Sequence, residues 1–268
     1  VNGLLKIKNK QIEEIHNDVV SSIRYAQRIQ TAILPPPEFI KSKIKNDYFV
    51  LFKPKDIVSG DFYWLDEKNG KILVSAIDCT GHGVPGAFMS MIGYNSLNKA
   101  VKEYGLTSPS DILNAQNKFI AEALRKSTNT TIRDGMDMAF IAIDYDKRIL
   151  EYAGAYNPLY IVRNGELIHT KSDNIAIGSY FQDPERKYTN HKFDLIEGDA
   201  IYIFTDGYAD QFGGDNYRKL MYKRFKEILL EINNEPMKRQ EEILWEKLCE
   251  WKGDEEQIDD ICVIGIKI

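Results

Sequence analysis

Strand-like runs in this sequence arrive in groups linked by tight turns, and the helices between them come in pairs. Tyr48 to Pro54, Asp61 to Leu65 and Lys71 to Ile77 read as short strands, with Lys68-Asn69-Gly70 as the hairpin turn between the last two. Two helices are predicted next, at about Pro85 to Tyr104 and Ser110 to Lys126. Ser108 or Ser110 would cap the second, with Pro109 near its start. Strands resume at Met138 to Tyr145, Ile149 to Ala153, Leu159 to Arg163 and Glu166 to Thr170, turned by Asp146 to Arg148 and by Asn164-Gly165. A further strand pair, Tyr188 to Leu195 and Ala200 to Thr205, is joined by Glu197-Gly198-Asp199. Two amphipathic helices, about Tyr217 to Ile232 and Met237 to Trp251, precede a last strand, Ile261 to Ile268. A parallel sheet would alternate strand with helix, so this order predicts an antiparallel α+β sandwich.

The 268 residues are enough to bury a sizeable core, and 43% apolar with 28% charged residues excludes a disordered or low-complexity chain. Lys plus Arg number 35 against 40 Asp plus Glu, a net charge of −5 that disfavours a nucleic-acid partner. No apolar run approaches the roughly 20 residues of a membrane helix. Cys79, Cys249 and Cys262 show no metal or disulfide spacing, which predicts a reducing, cytoplasmic setting. The sequence starts at Val1 with no signal peptide and reads as a piece of a longer protein, with an upstream sensor module out of view.

Residues 1–34 differ from the rest. Ile12, Ile15, Val19, Ser22, Ala26, Ile29 and Ile33 alternate spacings of three and four, and Leu5 extends this heptad seam backwards until Pro35-Pro36-Pro37 stops it at the other end. One reading is an amphipathic helix packed on its own domain. The sharper one is a coiled-coil linker that joins two chains into a homodimer. Ser22 and Ala26 weaken the middle of the seam, as suits a helix that is shifted in signalling. The expected division is a signalling helix over 1–34 and a catalytic domain over 45–268.

Four segments place an aspartate where a strand begins or ends: Lys53-Pro54-Lys55-Asp56-Ile57-Val58-Ser59-Gly60-Asp61, Ile77-Asp78-Cys79-Thr80-Gly81-His82-Gly83, Phe204-Thr205-Asp206-Gly207 and Ile258-Asp259-Asp260-Ile261. Alone, each is an ordinary turn. Carboxylates gathered at the rim of a buried sheet repel one another and lose hydration, and a divalent cation relieves both. Four such segments together predict a metal site.

In that order, the motifs Gly-Asp, Asp-x-x-Gly-His-Gly, Thr-Asp-Gly and Asp-Asp-Ile resemble the metal-dependent PPM (2C-type) serine/threonine protein phosphatases, most of all the bacterial SpoIIE-like branch. Tyr25-Ala26-Gln27-Arg28-Ile29-Gln30, Arg133-Asp134-Gly135-Met136-Asp137, Ala153-Gly154-Ala155-Tyr156-Asn157-Pro158 and Ala176-Ile177-Gly178 fit it too, so the likeness runs over about residues 20–268. It implies an α-β-β-α sandwich of two antiparallel sheets flanked by helices, with the site at one end. It further implies that Asp78 bridges two Mn²⁺ or Mg²⁺ ions and that the backbone carbonyl of Cys79 completes one of them. Asp206 and Asp259 would hold the other, and Asp61 would orient waters or bind the first ion directly. Asp260 is a second choice beside Asp259. The substrate it implies is a phosphorylated anti-sigma-antagonist-like protein in partner-switching signalling.

The chemistry supports this reading. Phosphoserine hydrolysis needs a nucleophile at neutral pH and cover for the phosphoryl charge, and two hard cations about 4 Å apart supply both by acidifying a shared water and binding phosphate oxygen. All-oxygen ligands suit Mg²⁺ or Mn²⁺ rather than zinc. Cys79 lacks the phosphate-cradling setting of a thiol phosphatase and reads as structural. His82 is a candidate acid for the leaving oxygen, although the eukaryotic branch carries its histidine two residues after the bridging aspartate, where Thr80 stands here. Lys53, Lys55 and Arg133 are candidates for holding substrate phosphate. Asp134 or Asp137, with Asp206, is a candidate for a third ion. Tyr63, Trp64, Trp245 and Trp251 read as packing residues.

Two rivals remain at this level. Gly81-His82-Gly83-Val84-Pro85-Gly86 is literally G-x-G-x-x-G, the signature of a Rossmann dinucleotide site, but helix follows helix after it with no second parallel strand. A catalytically silent signalling module with the phosphatase fold is the other; the presence of all four motif aspartates argues against it.

Overall fold

The computed structural model describes residues 2–125, 134–179, 183 and 185–268. Arg133 therefore lies outside the described residues. The chain opens with helices α1 (Asn2–Ile33) and α2 (Pro37–Lys43), followed by strands β1 (Tyr48–Lys53), β2 (Phe62–Lys68) and β3 (Lys71–Cys79). Helix α3 (Gly83–Asn98) runs through a π-helical turn (Lys99–Glu103) towards α4 (Pro109–Arg125). Then come β4 (Met136–Asp144), β5 (Ile149–Ala155), β6 (Leu159–Arg163), β7 (Glu166–Thr170), β8 (His191–Asp194) and β9 (Ala200–Phe204). The one-turn helix α5 (Gly207–Asp210) and the ribbon β10 (Phe212–Gly213) and β11 (Arg218–Lys219) lead to α6 (Met221–Ile232), α7 (Met237–Lys252) and β12 (Ile261–Lys267).

The strands form two five-stranded sheets, in the orders β2-β3-β4-β5-β8 and β1-β12-β9-β6-β7, and every pairing within them is antiparallel. Alternate residues of the central strands point between the sheets. Val74, Ala76, Ala139 and Ile141 of one meet Ile161, Ile203, Cys262 and Ile264 of the other in a shared core. The opposite faces are covered by helices: α3 and α4 on Phe62, Trp64, Met138 and Phe140, and α6 and α7 on Phe49, Tyr202 and Phe204. This is the expected α-β-β-α sandwich. Asn69 and Gly70, and again Asn164 and Gly165, take left-handed backbone at the two tight hairpins, with φ of 52° and 76° and of 52° and 79°.

Two sequence expectations need correction. The segments on either side of Glu197-Gly198-Asp199 are not partners: β8 pairs with β5 and β9 with β12 and β6, so this turn carries the chain from one sheet to the other. Arg163 fastens the crossing. Its guanidinium donates to both Asp199 carboxylate oxygens, at 2.8 and 2.7 Å, and to the Asp194 carbonyl at 2.7 Å. An alternating apolar pattern fixes which face of a strand is buried, not which sheet it joins. The helix expected from Tyr217 starts only at Met221, because the preceding residues form the β10-β11 ribbon, in which Tyr217 stacks on Phe212 with ring centroids 5.1 Å apart.

Helix α1 leaves the body of the molecule. Leu5, Ile12, Ile15, Val19 and Ile29 of the seam are exposed, Ile12 and Ile15 to 65% each. The C-terminal end of α1 is tied down through buried Gln30 and, just beyond the helix, Leu34. Among the described residues no helix is long and apolar enough to cross a membrane.

Candidate metal centre

The acidic residues converge because four strand ends meet at one end of the sandwich. Asp78 is the penultimate residue of β3 and lies directly opposite Asp137 near the start of β4. Beyond them Thr80 closes the sheet: its N–H donates to the Gly135 carbonyl at 3.0 Å, and its hydroxyl accepts from Gly135 N–H at 3.1 Å. On the facing sheet β9 ends at Phe204, and Thr205-Asp206 follow. The Thr205 hydroxyl donates to Asp61 Oδ2 at 2.6 Å and accepts from Cys262 N–H at 3.0 Å, so one side chain links the ends of β9 and β12 to the residue before β2. Asp260, just before β12, accepts from the N–H groups of Lys55 and Gly60 at 2.8 and 2.7 Å. It fixes the backbone of the loop that presents Asp61, a structural role.

Glycines allow the close approach of these loops. A Cβ on Gly60 would stand 3.2 Å from the Cys79 carbonyl oxygen, and one on Gly86 would stand 2.7 Å from Gly60 Cα. Gly81, with φ of +84°, turns the chain into α3. The Cys79 carbonyl, the Asp61 loop and the first turn of α3 are thus pressed together.

The electrostatics follow from this crowding. Burial, reinforced by Asp260, Asp259 and Asp206, holds the Asp61 carboxyl well above the ordinary carboxylate range, and the Thr205 hydrogen bond only partly opposes it. Asp78 is raised in the same way, first by burial and then by Asp61, Asp206, Asp259 and Asp137. Burial and then Asp206 push Asp137 up to about 7. Asp206 is raised by burial, Asp210 and Asp259, with Asp78 and Lys219 opposing. Burial also raises Asp259, against the Asp260 N–H that donates to its Oδ1 at 2.9 Å and against Lys55 and His82, while the Asp260 carboxylate adds to the rise. Burial drives the Cys79 and Cys262 thiols up, which leaves both as inert packing groups.

Among the described residues, none of Asp61, Asp78, Asp137, Asp206 or Asp259 is in a salt bridge. Five carboxyl groups, desolvated and raising one another, and the Cys79 carbonyl next to Asp78 in the chain are oxygen donors of the kind that hard divalent cations take. Among the described residues no three Asp, Glu, His or Cys side chains converge as ready ligands of one ion. Such a set suits Mg²⁺ or Mn²⁺, which keep several waters, better than a metal that needs a closed protein cage.

The outer candidates sit differently. The His82 ring is half exposed; Nδ1 lies 2.7 Å from Asp56 Oδ2 and Nε2 lies 3.2 Å from Lys55 Nζ. With Nδ1–H donating to Asp56, Nε2 accepts from the Lys55 ammonium, and the trio forms a chain at the rim beside Asp259. Lys53 places its ammonium 4.7 Å from the centroid of the Trp245 ring on α7. Asp134 is exposed, whereas Asp137 is part-buried and coupled to Asp206. The sequence places Thr205 and Gln30 in family-like motifs but does not mark which residues they hold. Nor did it mark Tyr222 on α6, whose ring lies 6.2 Å from that of Phe204 and whose hydroxyl is held protonated by burial and then by Asp206.

This fold with this acidic end defines a PPM-type, or PP2C, protein phosphatase domain. The family described as Stage II sporulation protein E (SpoIIE) matches residues 68–268, and the chain belongs to that family. Among solved structures it is similar to the SiaA-PP2C domain of Pseudomonas aeruginosa at 30% identity and a TM-score of 0.85, over 95% of this chain and 98% of that one. The PP2C domain and regulatory fragment of SpoIIE from Bacillus subtilis match at 20% identity and a TM-score of 0.64, over 82% of this chain and 62% of that one. The RsbU and RsbW domains of Rv1364c from Mycobacterium tuberculosis match at 19% identity and a TM-score of 0.65, over 83% of this chain and 60% of that one. These last two likenesses are of fold. No curated protein sequence matches the chain.

Proposed function

We propose that this domain is a Mn²⁺- or Mg²⁺-dependent phosphatase that removes phosphate from phosphoserine or phosphothreonine of a signalling partner in the cytoplasm. The observation that carries it is that buried Asp61 and part-buried Asp78 and Asp206 lie close enough to shift one another, with no salt bridge to any of them among the described residues. Asp78, which Asp61, Asp206, Asp259 and Asp137 all raise, would hold the ions together with the Cys79 carbonyl, Asp206 and Asp259. Asp61, fixed by Thr205, orients water. When bound, the two ions acidify a water for attack on phosphorus and neutralise charge on the phosphoryl oxygens.

The chain's own residues do the rest. Lys55 and His82 stand at the rim, where an incoming phosphate meets its first donors, and His82 with Asp56 behind it is placed to hold or pass a proton at the leaving serine oxygen. Arg133 is a further phosphate donor by resemblance. The coupling of Asp137 to Asp206 favours Asp137 over exposed Asp134 for a third ion.

The partner is a small phosphoprotein of the anti-sigma-antagonist kind. The RsbU and RsbW domains that stand together in the Mycobacterium tuberculosis neighbour and the SpoIIE family match support this. The seam of α1 is the homodimer contact, and α1 relays a signal from an upstream module to the domain over 45–268. The deciding experiment is phosphate release from an aryl phosphate and a phosphoserine peptide with Mn²⁺, with Mg²⁺ and with a chelator. Turnover that survives complete chelation would refute the metal-dependent reading.

A further inference from the structure

Helix α3 is unlike the rest of the chain. Of all residues 28% are charged, yet Gly83–Asn98 contains no charged residue. Its inner side, with Met89, Ser90, Gly93 and Leu97, is buried on the sheet. Its outer side begins with Val84 and Phe88, neighbours one turn apart, which are 39% and 68% exposed. That end of α3 follows directly on Asp78-Cys79-Thr80-Gly81-His82, and the contact of Gly86 with Gly60 pins it to the Asp61 loop. A second exposed ring stands across the cluster. Ala155, the last residue of β5, pairs with Met138, so Tyr156 comes next to Asp137, which itself faces Asp78.

Tyr156 is held there against its conformational preference. Its φ is +56°, a left-handed backbone costly for a bulky residue, which Asn69, Arg148, Asn164, Tyr217 and Met221 also adopt. Hydrogen bonds keep it so: its N–H donates to the Asp173 carbonyl at 3.0 Å, and the Tyr152 hydroxyl donates to the Asn157 carbonyl at 2.7 Å. Its side chain is nonetheless 49% exposed. A bulky exposed ring at a strained position beside a reactive cluster is the pattern of a side chain kept for contact.

We propose that Val84 and Phe88, with Tyr156 opposite, form the docking rim for the substrate protein and select a phosphorylated segment flanked by apolar residues. This rests on the phosphatase reading above. Any protein that delivers a phosphoseryl group to Asp78 must lie over the first turns of α3, so the rim is continuous with the reaction site. Along α3 itself a flanking segment of either charge finds no partner, whereas an apolar one meets Val84 and Phe88. A second copy of the chain already has its own apolar stripe, on α1.

The test uses the full 268-residue chain with Mn²⁺ and three substrates: p-nitrophenyl phosphate, a phosphoserine peptide flanked by Leu and Val, and the same peptide flanked by Glu and Lys. Wild type should prefer the apolar peptide by about tenfold or more in kcat/KM, the scale of burying one large apolar side chain. Phe88→Glu and, independently, Val84→Asp should lower the ratio of apolar-peptide to aryl-phosphate kcat/KM by about tenfold, through KM. Equal use of the two peptides by wild type overturns the proposal. So does an equal fall on peptide and aryl phosphate, or a Phe88→Glu effect that tracks a change in oligomeric state. Failure of wild type to hydrolyse even p-nitrophenyl phosphate would instead sink the phosphatase reading, and this one with it.

Discussion

Gln30 and Ser59 are paired through both ends of one amide: Gln30 Nε2 donates to the Ser59 carbonyl at 2.6 Å, and Ser59 N–H donates to Gln30 Oε1 at 3.0 Å. The same Nε2 donates to Ser90 Oγ at 2.9 Å. Ser59 lies two residues before Asp61, Ser90 lies on α3, and Gln30 lies in the last turns of α1. One buried side chain therefore joins the projecting helix to both segments that frame the acidic cluster. Asp260 grips the same loop from the other side through Gly60 N–H. A turn or slide of α1 would move Ser59 and Ser90 together, a physical route from the seam to the position of Asp61.

Gln30→Ala should break that route. It leaves the Ser59 N–H and carbonyl buried without a partner, at a cost of about 1–3 kcal/mol. For a chain of this length that lowers the melting temperature by roughly 3–10 °C. Turnover of an aryl phosphate by the folded variant should fall by about tenfold or more, because Asp61 loses one of the two anchors of its loop. Wild-type turnover in a variant with a lowered melting temperature would show that Gln30 holds the fold together without setting the site.

Asp78→Asn and Asp206→Asn should separate activity from stability. Each removes a charge from a group already raised by burial and by its neighbours, so the metal-free protein should melt at the wild-type temperature or above it. Turnover should drop by about 100-fold or more, the scale of losing several kcal/mol of charge stabilisation. Calorimetry in chelator and initial rates in Mn²⁺ read the two effects. A variant that keeps wild-type rates would remove its residue from the centre.

Much of this was legible in the sequence, for identifiable reasons. Asn69-Gly70 and Asn164-Gly165 announced their hairpins because few other residues tolerate left-handed backbone. Asp78, Asp206 and Asp259 stood out because a carboxylate at the end of an apolar strand has no other reason to recur. What stayed hidden depends on partners far away in the chain. Thr205 finds Asp61 at a separation of 144 residues and Asp260 finds Gly60 at 200, and no local pattern encodes either. Gln30 closes a family-like segment, Tyr25 to Gln30, yet nothing in that segment points to Ser59 or Ser90 as its partners. β8 joins β5 rather than its neighbour in sequence β9, and Arg163 holds the crossing between the sheets at Asp199, again contacts between distant segments.

Divalent cations should stabilise the domain as well as activate it. An ion that binds only the folded state at about 100 times its Kd adds about 2.7 kcal/mol. That corresponds to a rise of roughly 5–10 °C in melting temperature for a chain of this size. The rise should appear with Mn²⁺ or Mg²⁺, reverse with chelator and vanish in Asp78→Asn. A wild-type melting curve indifferent to millimolar Mn²⁺ would show that the cluster does not hold these ions.

The α1 seam gives a prediction about assembly that is independent of catalysis. Ile12 and Ile15 are each 65% exposed and Val19 52%, so they add almost nothing to the packing of their own domain. Polar replacement there costs little within one chain but removes the apolar contact between two. Wild type should run as a dimer in light scattering at micromolar concentration, and Ile15→Glu with Val19→Glu should run as a monomer. The transition temperature of the sandwich should hold within about 2 °C, since these surface sites lie far from its core. If the double variant remained dimeric, the contact between copies would lie elsewhere and α1 would be a lever without a partner helix. If it unfolded the sandwich, the seam would belong to the domain after all, against its exposure.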